Sequence, residues 1–358
     1  MARKSSTGKT AKSPINIGII GLGRAGFSMH TTELESRGDK FNIVAACDPL
    51  PQQRERFAAK FPQAKVYKTV EELLADPQVE LFDVANRTNE HFATAMAALK
   101  TGKFVFLEKP ICLTYAEARK LQAAGEKTGR LFIRHNRRFE PAFLHAREII
   151  ASGILGKVYE IKLARHGYQR RDDWQTLTSE GGGQLNNWGP HLIDHALQFL
   201  DYKVRDVWSD LKLTAAVGDA EDHLKIVFRG ESGLLVDVEI SGGVAIPAPV
   251  YAVYGTKGAM ISNDEKTFIL KYLDPKLKLK PRKAKKGTPL GFSSNNDLRW
   301  IEKEIPVKAP NGLVMASVWD FMYDEIRLGK KSPITVAQAA EVVKYTELAR
   351  KKSGYYAS

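Results

Sequence analysis

Two cysteines in 358 residues, Cys47 and Cys112, are too few for a disulfide framework. Each stands beside an apolar run, so buried thiols and a reducing compartment are expected. No apolar run approaches the roughly 18 residues of a membrane span. Residues 1–13 carry Arg3, Lys4, Lys9 and Lys12 without the hydrophobic centre of a signal peptide. A disordered basic leader over 1–13, a cytoplasmic location and no membrane partner are therefore expected. Internal repeats are absent, and acidic residues are outnumbered to leave a net charge of +13. The leader and residues 266–286 together hold +12 of that charge, so the rest of the chain is nearly balanced. The lysine-rich segment, with alternating Leu277 and Leu279, reads as a charged edge hairpin or arm. No recognition motif accompanies it, which argues against nucleic acid as a partner.

What is present begins with a strand–turn–helix–strand unit over 15–48. An apolar strand, 15–20, runs into Gly21, Leu22, Gly23, Arg24, Ala25 and Gly26, a G-x-G-x-x-G turn that opens a helix of about ten residues. The first glycine permits the tight turn, the second lets backbone N–H groups approach a pyrophosphate, and the third lets helix and strand pack closely. The next strand, 41–47, ends at Asp48, where a carboxylate can accept hydrogen bonds from ribose hydroxyls and would repel a 2′-phosphate. NAD is thus expected, in preference to NADP.

The chain is long enough for two cores. Through the first half strands and helices alternate: helix 51–61, strand 66–67, helix 71–74, strand 80–85, a helix capped by Thr88 or Asn89 and running to Lys100, strand 104–107, a helix capped by Thr114 and running to 128, and strand 131–134. This is doubly wound α/β order, in which ligands sit beyond the carboxyl ends of the strands. The second half changes to alternating segments at 159–165, 207–213, 224–228, 234–240 and 251–254, which read as an open, mostly antiparallel sheet with helices on one face. The expected division is a Rossmann domain over 14–134 and an α+β domain over 135–358, the last helix being able to pack back on the first domain.

With Glu108, Lys109 and Pro110 the chain begins to resemble a known family, and the resemblance covers it from Ile15 to about Ser353. The glycine turn, this E-K-P strand end, the run His135, Asn136, Arg137, Arg138, Phe139 and the stretch from Gly181, Gly182 and Gly183 through His191 and Asp194 together resemble the glucose-fructose oxidoreductase and inositol dehydrogenase (Gfo/Idh/MocA) family. The resemblance implies a Rossmann domain followed by an α+β domain whose open sheet serves as an oligomer interface, in a homodimer or homotetramer. It also implies NAD(P)-linked chemistry at a sugar or cyclitol carbon, with Lys109 and His191 as the proton-handling pair and a cis bond before Pro110. Expected cofactor contacts are Gly21, Gly23, Arg24, Ala25, Gly26, Asp48, Asn86 and Glu108.

The residues lend these roles separate support. Lys109 ends a parallel strand where the nicotinamide half would lie, and an ammonium there stabilises a developing alkoxide or polarises a ketone. His191 follows Gly189 and Pro190 at a helix start, whose positive end favours a neutral imidazole ready to accept a proton. His191, Asp194, His195 and Gln198 form a polar stripe that must face water or a cleft. Histidines four apart also suit a metal, but Leu192 breaks the H-E-x-x-H pattern and no metal is expected.

Two positions depart from the family pattern: Asn187 stands where many members carry aspartate, and Asn86 and Arg87 stand where a threonine–proline pair is usual. Asparagine orients neighbours without a charge, and Arg87 can recognise an anionic group. The segment 165–187, with Arg165, His166, Tyr168 and Trp174, suits a sugar and reads as the specificity loop. Three functions stay open: net oxidation or reduction of a sugar or cyclitol, glycoside cleavage or elimination through transient oxidation, and non-catalytic NAD binding.

Overall fold

The computed structural model describes residues 13–278, 286 and 298–357. The leader positions 1–12 and the basic stretch 279–285, on which two expectations fall, lie outside the described residues. The chain forms two compact units, one running to Asn136 and including Ala316–Lys344, the other comprising Arg137–Met315 and the residues from Tyr345.

The first unit is built on six parallel strands: β1 (Ile15–Ile20), β2 (Phe41–Cys47), β3 (Lys65–Tyr67), β4 (Leu81–Val84), β5 (Phe104–Leu107) and β6 (Leu131–Ile133). Their order is β3-β2-β1-β4-β5-β6, so the direction of winding reverses between β1 and β4, the place where such sheets open a crevice for ligands. β4 and β6 are buried at every position, as strands covered on both faces should be, and β4 carries one buried carboxylate, Asp83. After the glycine turn the chain winds as a π-helix over Arg24–His30 before settling into an α-helix over Thr31–Glu35. Thr114 caps its helix with a capping box to Glu117. Thr88 and Asn89 do not cap the helix before it: Thr88–Glu90 form a 3₁₀ turn and the α-helix starts at His91 without a side-chain cap. Helix Ser317–Leu328 completes this core by burying Trp319, whose ring lies 4.5 Å from that of Phe106.

Among the described residues the second unit holds eight strands: β7 (Val158–His166), β8 (Val204–Lys212), β9 (His223–Gly230), β10 (Leu235–Ser241), β11 (Tyr251–Gly255), β12 (Gly258–Ser262), β13 (Thr267–Leu273) and β14 (Trp300–Pro306). The order is β14-β13-β12-β11-β7-β10-β9-β8, with β7 and β10 parallel and the other pairs antiparallel. One face is buried through Ile161, Leu163, Ile226, Phe228, Val238 and Phe268. The opposite face keeps Trp208, Ile269 and Trp300 exposed and carries charge pairs such as Lys225 with Glu239 at 2.9 Å. The start of the lysine-rich segment lies in β13, where Lys271 stands opposite Glu302 of the antiparallel edge strand β14. Trp300–Pro306 is the strand that blunts the edge, with charged Glu302, Lys303 and Glu304 exposed at its centre.

Cys47 and Cys112 are both buried and not disulfide-linked, and burial pushes the Cys47 thiol up to about 12. Among the described residues no helix is long and apolar enough to cross a membrane.

Candidate active site

The three glycines of the turn are required for different reasons. Gly21 has φ +92°, and a Cβ there would sit 2.6 Å from Asn86 Cα. A Cβ on Gly26 would lie 2.0 Å from the Gly21 carbonyl oxygen. Around Gly23 nothing lies within 4 Å of where a Cβ would be. First and third glycines are thus closed by packing while the second borders open space, the arrangement a pyrophosphate needs to approach backbone N–H groups. Arg24 is exposed and Ala25 half-buried beside it.

Asp48 is buried, its Oδ2 accepting the Leu22 N–H at 2.8 Å and Oδ1 the Leu50 N–H at 2.9 Å. The carboxylate therefore holds the glycine turn, and each oxygen retains a lone pair for a ribose hydroxyl. Two cations that sequence reasoning missed stand nearby. Arg54 donates to the Asp48 and Pro49 carbonyls at 2.8 Å, and Arg56 donates to the Leu22 carbonyl at 3.2 Å while lying 4.0 Å over the Phe27 ring. Their position in the helix that follows Asp48 was the available signal.

Beyond β4, Asn86 Nδ2 donates to Glu90 Oε2 and Thr94 Oγ1, both at 2.9 Å. The His91 ring spans the Pro110 carbonyl at 2.7 Å and the Asn86 carbonyl at 3.2 Å, tying this loop to the turn after β5. Burial holds the His91 pKa down, so a neutral ring donates one of those bonds. Arg87 is exposed on the same loop. After β5, the Lys109–Pro110 bond is cis. Glu108, expected to touch cofactor, is buried, with Oε1 turned to His30 and Arg134 and Oε2 accepting the Lys109 N–H at 2.8 Å.

In the second unit helix Gly189–Phe199 carries Pro190 and buried His191 in its first turn, with the Trp188 ring edge-on to His191 at 5.9 Å. Asn187 is half-buried in the preceding short helix, Gln184–Asn187. The C-terminal residues brace this segment, which the sequence did not reveal. Glu221 accepts the Leu185 N–H at 2.7 Å and the Tyr356 hydroxyl, and Arg350 donates to Asn186 Oδ1 at 2.9 Å.

Of the rest of the polar stripe, Asp194 and His195 are buried away from water, and Gln198 is half-buried. Asp194 receives Arg138 Nε at 2.8 Å and a terminal guanidinium nitrogen at 2.6 Å, forming a buried bidentate pair. His195 lies flat on Phe143, with centroids 3.8 Å apart, and its Nε2 meets the Arg137 carbonyl at 2.9 Å. Burial lowers its pKa to about 3, so it is neutral. Among the described residues no cluster of ligating side chains could hold a metal ion.

Of the residues expected to form a specificity loop, Arg165 is held by Glu265 and, at 3.5 Å, by Glu140, and lies 5.2 Å from the Trp188 ring. Arg137 stacks on the same ring at 4.2 Å. Burial, with the Glu265 charge added, raises Glu140 to about 7. His166 turns to the sheet, 3.3 Å from Glu239. Tyr168 is 63% exposed, and Trp174 opens a 3₁₀ turn, half-buried. Arg165 thus gathers with Trp188, next to His191, whereas Tyr168 projects into solvent.

A doubly wound sheet with a dinucleotide-type glycine turn, followed in the chain by a mixed open-sheet unit, defines the class of two-domain NAD-binding oxidoreductases. Residues 15–135 match the model of the oxidoreductase family with an NAD-binding Rossmann fold, and residues 143–261 match the Gfo/Idh/MocA C-terminal domain; the chain belongs to this family. It is 32% identical to an uncharacterized oxidoreductase of Schizosaccharomyces pombe over 69% of this chain and 70% of that protein. It is 24% identical to scyllo-inositol 2-dehydrogenase (NADP(+)) of Bacillus subtilis over 97% of this chain and 96% of that one. Among solved structures, an NAD-binding protein from Listeria innocua superposes with a TM-score of 0.81 at 24% identity, covering 96% and 95% of the two chains.

Proposed function

We propose that this oxidoreductase transfers a hydride between NAD and a hydroxyl or keto carbon of a sugar or cyclitol. The observation that carries the reading is the glycine turn, closed by packing at Gly21 and Gly26 and open at Gly23, in a chain of this family. The cyclitol class is supported by the inositol dehydrogenase name of a relative matched over 97% of this chain. Bound nicotinamide would supply the hydride acceptor or donor. Gly21, Gly23, Arg24, Ala25, Gly26, Asp48 and Asn86 would bind it, with Glu108 acting behind Lys109. The Lys109 ammonium would steady charge on the reacting oxygen, and His191 would take or return the hydroxyl proton, oriented by Asn187. Arg165, Trp174 and Arg87 would contact substrate. That relative's NADP(+) name, together with Arg54 and Arg56 near Asp48, makes cofactor preference a measurement in its own right.

The test is stoichiometry. Purified protein is offered inositols, free sugars, polyols and glycosides, and NADH is compared with product; keto-sugars with NADH probe the reverse direction. Proportional formation or consumption is expected, lost on Lys109→Met and on His191→Ala with NAD affinity largely kept. Glycoside cleavage without net NADH would replace this reading with transient oxidation. We also propose that two copies pair through the open sheet face bearing Trp208, Ile269 and Trp300. Sedimentation should show a dimer or tetramer that Trp208→Glu weakens, and a monomer at micromolar concentration would reject the pairing.

A further inference from the structure

Five ionisable side chains meet inside the first unit, behind the E-K-P turn. His30, on the helix that follows the glycine turn, is wholly buried, with Nδ1 2.7 Å from Asp83 Oδ2 and Nε2 3.0 Å from Glu108 Oε1. Arg134 donates to that same Glu108 oxygen at 2.8 Å and to both Glu33 oxygens at 2.7 Å. Trp319 Nε1 donates to Glu33 at 2.6 Å, and its ring stands edge-on to His30 at 5.6 Å, with Phe106 at 6.5 Å. Ionised carboxylates only accept, so a ring facing two of them must carry hydrogen on both nitrogens. Desolvation works against that charge and so does Arg134. The Asp83 charge and the bonds to Asp83 and Glu108 outweigh them, raising His30 to about 9.

Glu108 has one oxygen left, and it accepts the Lys109 N–H at 2.8 Å. We propose that His30 is a positioning residue: an imidazolium braced between Asp83 and Glu108 that fixes the Glu108 carboxylate and, through it, the main chain of Lys109. It links the helix opened by the glycine turn to the lysine that meets substrate. The inference rests on the role proposed above for Lys109.

Two variants separate bracing from bulk. His30→Asn keeps a donor toward Asp83 and abandons Glu108, whereas His30→Gln reaches Glu108. In folded protein, His30→Asn should lower kcat about tenfold or more with KM values nearly unchanged, and His30→Gln should recover most of it. Wild-type kcat should fall as pH rises through about 9, a limb absent from the glutamine variant. Spectra of ¹⁵N-histidine-labelled protein near neutral pH should contain one ring protonated on both nitrogens, missing from both variants. A singly protonated His30, or wild-type kcat in both variants, would overturn the proposal. So would equal losses of kcat in both that merely track lowered melting temperatures. Turnover retained in Lys109→Met would instead remove the lysine's role, while the histidine spectra would still report the bracing.

Discussion

Leu22 donates its backbone N–H to Asp48 Oδ2 at 2.8 Å, although 26 residues separate them. One carboxylate therefore shapes the glycine turn and, in the function proposed above, also receives the ribose. Asp48→Ser should weaken NAD binding on both counts and shrink any preference for NAD over NADP by about tenfold, or roughly 1.4 kcal/mol. Calorimetric titration of both cofactors reads this directly. Equal affinities in the wild type would take discrimination away from Asp48 and turn attention to Arg54 and Arg56.

Gly23 and Gly26 should respond oppositely to the same change. Gly23 has φ −74°, which alanine adopts readily, and open space around it. Gly23→Ala should leave the melting temperature nearly unchanged while weakening NAD, because the methyl group would occupy the pyrophosphate approach. Gly26→Ala puts a carbon 2.0 Å from the Gly21 oxygen, an overlap that only backbone movement relieves, so a loss of about 3 kcal/mol or more is expected. Thermal melts with and without NAD distinguish the two. Equal destabilisation would contradict the geometry.

What the sequence displayed was whatever depends on neighbours close along the chain. The glycine turn, the Thr114 capping box and the alternation of β1 to β6 are local patterns, and each falls within a residue or two of its expected place. β12 escaped because Gly258–Ser262 opens on glycine and shows no apolar–polar alternation, and β14 because it spends its centre on charge at a sheet edge. The polar stripe was misread because its partners come from elsewhere: Arg138 reaches Asp194 across 56 positions. Trp319 reaches Glu33 across 286, so no local pattern could assign helix Ser317–Leu328 to the first core. Burial also could not be read from residue type: histidine at 30 and at 195 is equally enclosed, yet carboxylate partners charge the first and a carbonyl leaves the second neutral.

That neutral histidine makes a prediction about acid stability. Burial depresses the folded pKa of His195 from 6.5 to about 3, so the unfolded chain binds a proton there first as pH falls. Its contribution to stability is complete above pH 6.5 and is lost progressively as pH drops from 6.5 toward 3. Between pH 6.5 and 5, before most carboxylates titrate, the loss is on the order of 2 kcal/mol. His195→Phe keeps an aromatic ring against Phe143 and removes the titration, though it leaves the Arg137 carbonyl without its partner, at a cost of about 1–3 kcal/mol near pH 8. Glu140, raised to about 7, acts in the opposite sense within this window, but it is common to both proteins and largely cancels in their difference. Denaturant melts across pH 5 to 8 should show the variant less stable at the alkaline end and the gap narrowing toward pH 5. Parallel stability curves would mean that His195 protonates in the folded state nearly as easily as in the unfolded chain, and would refute the buried neutral ring.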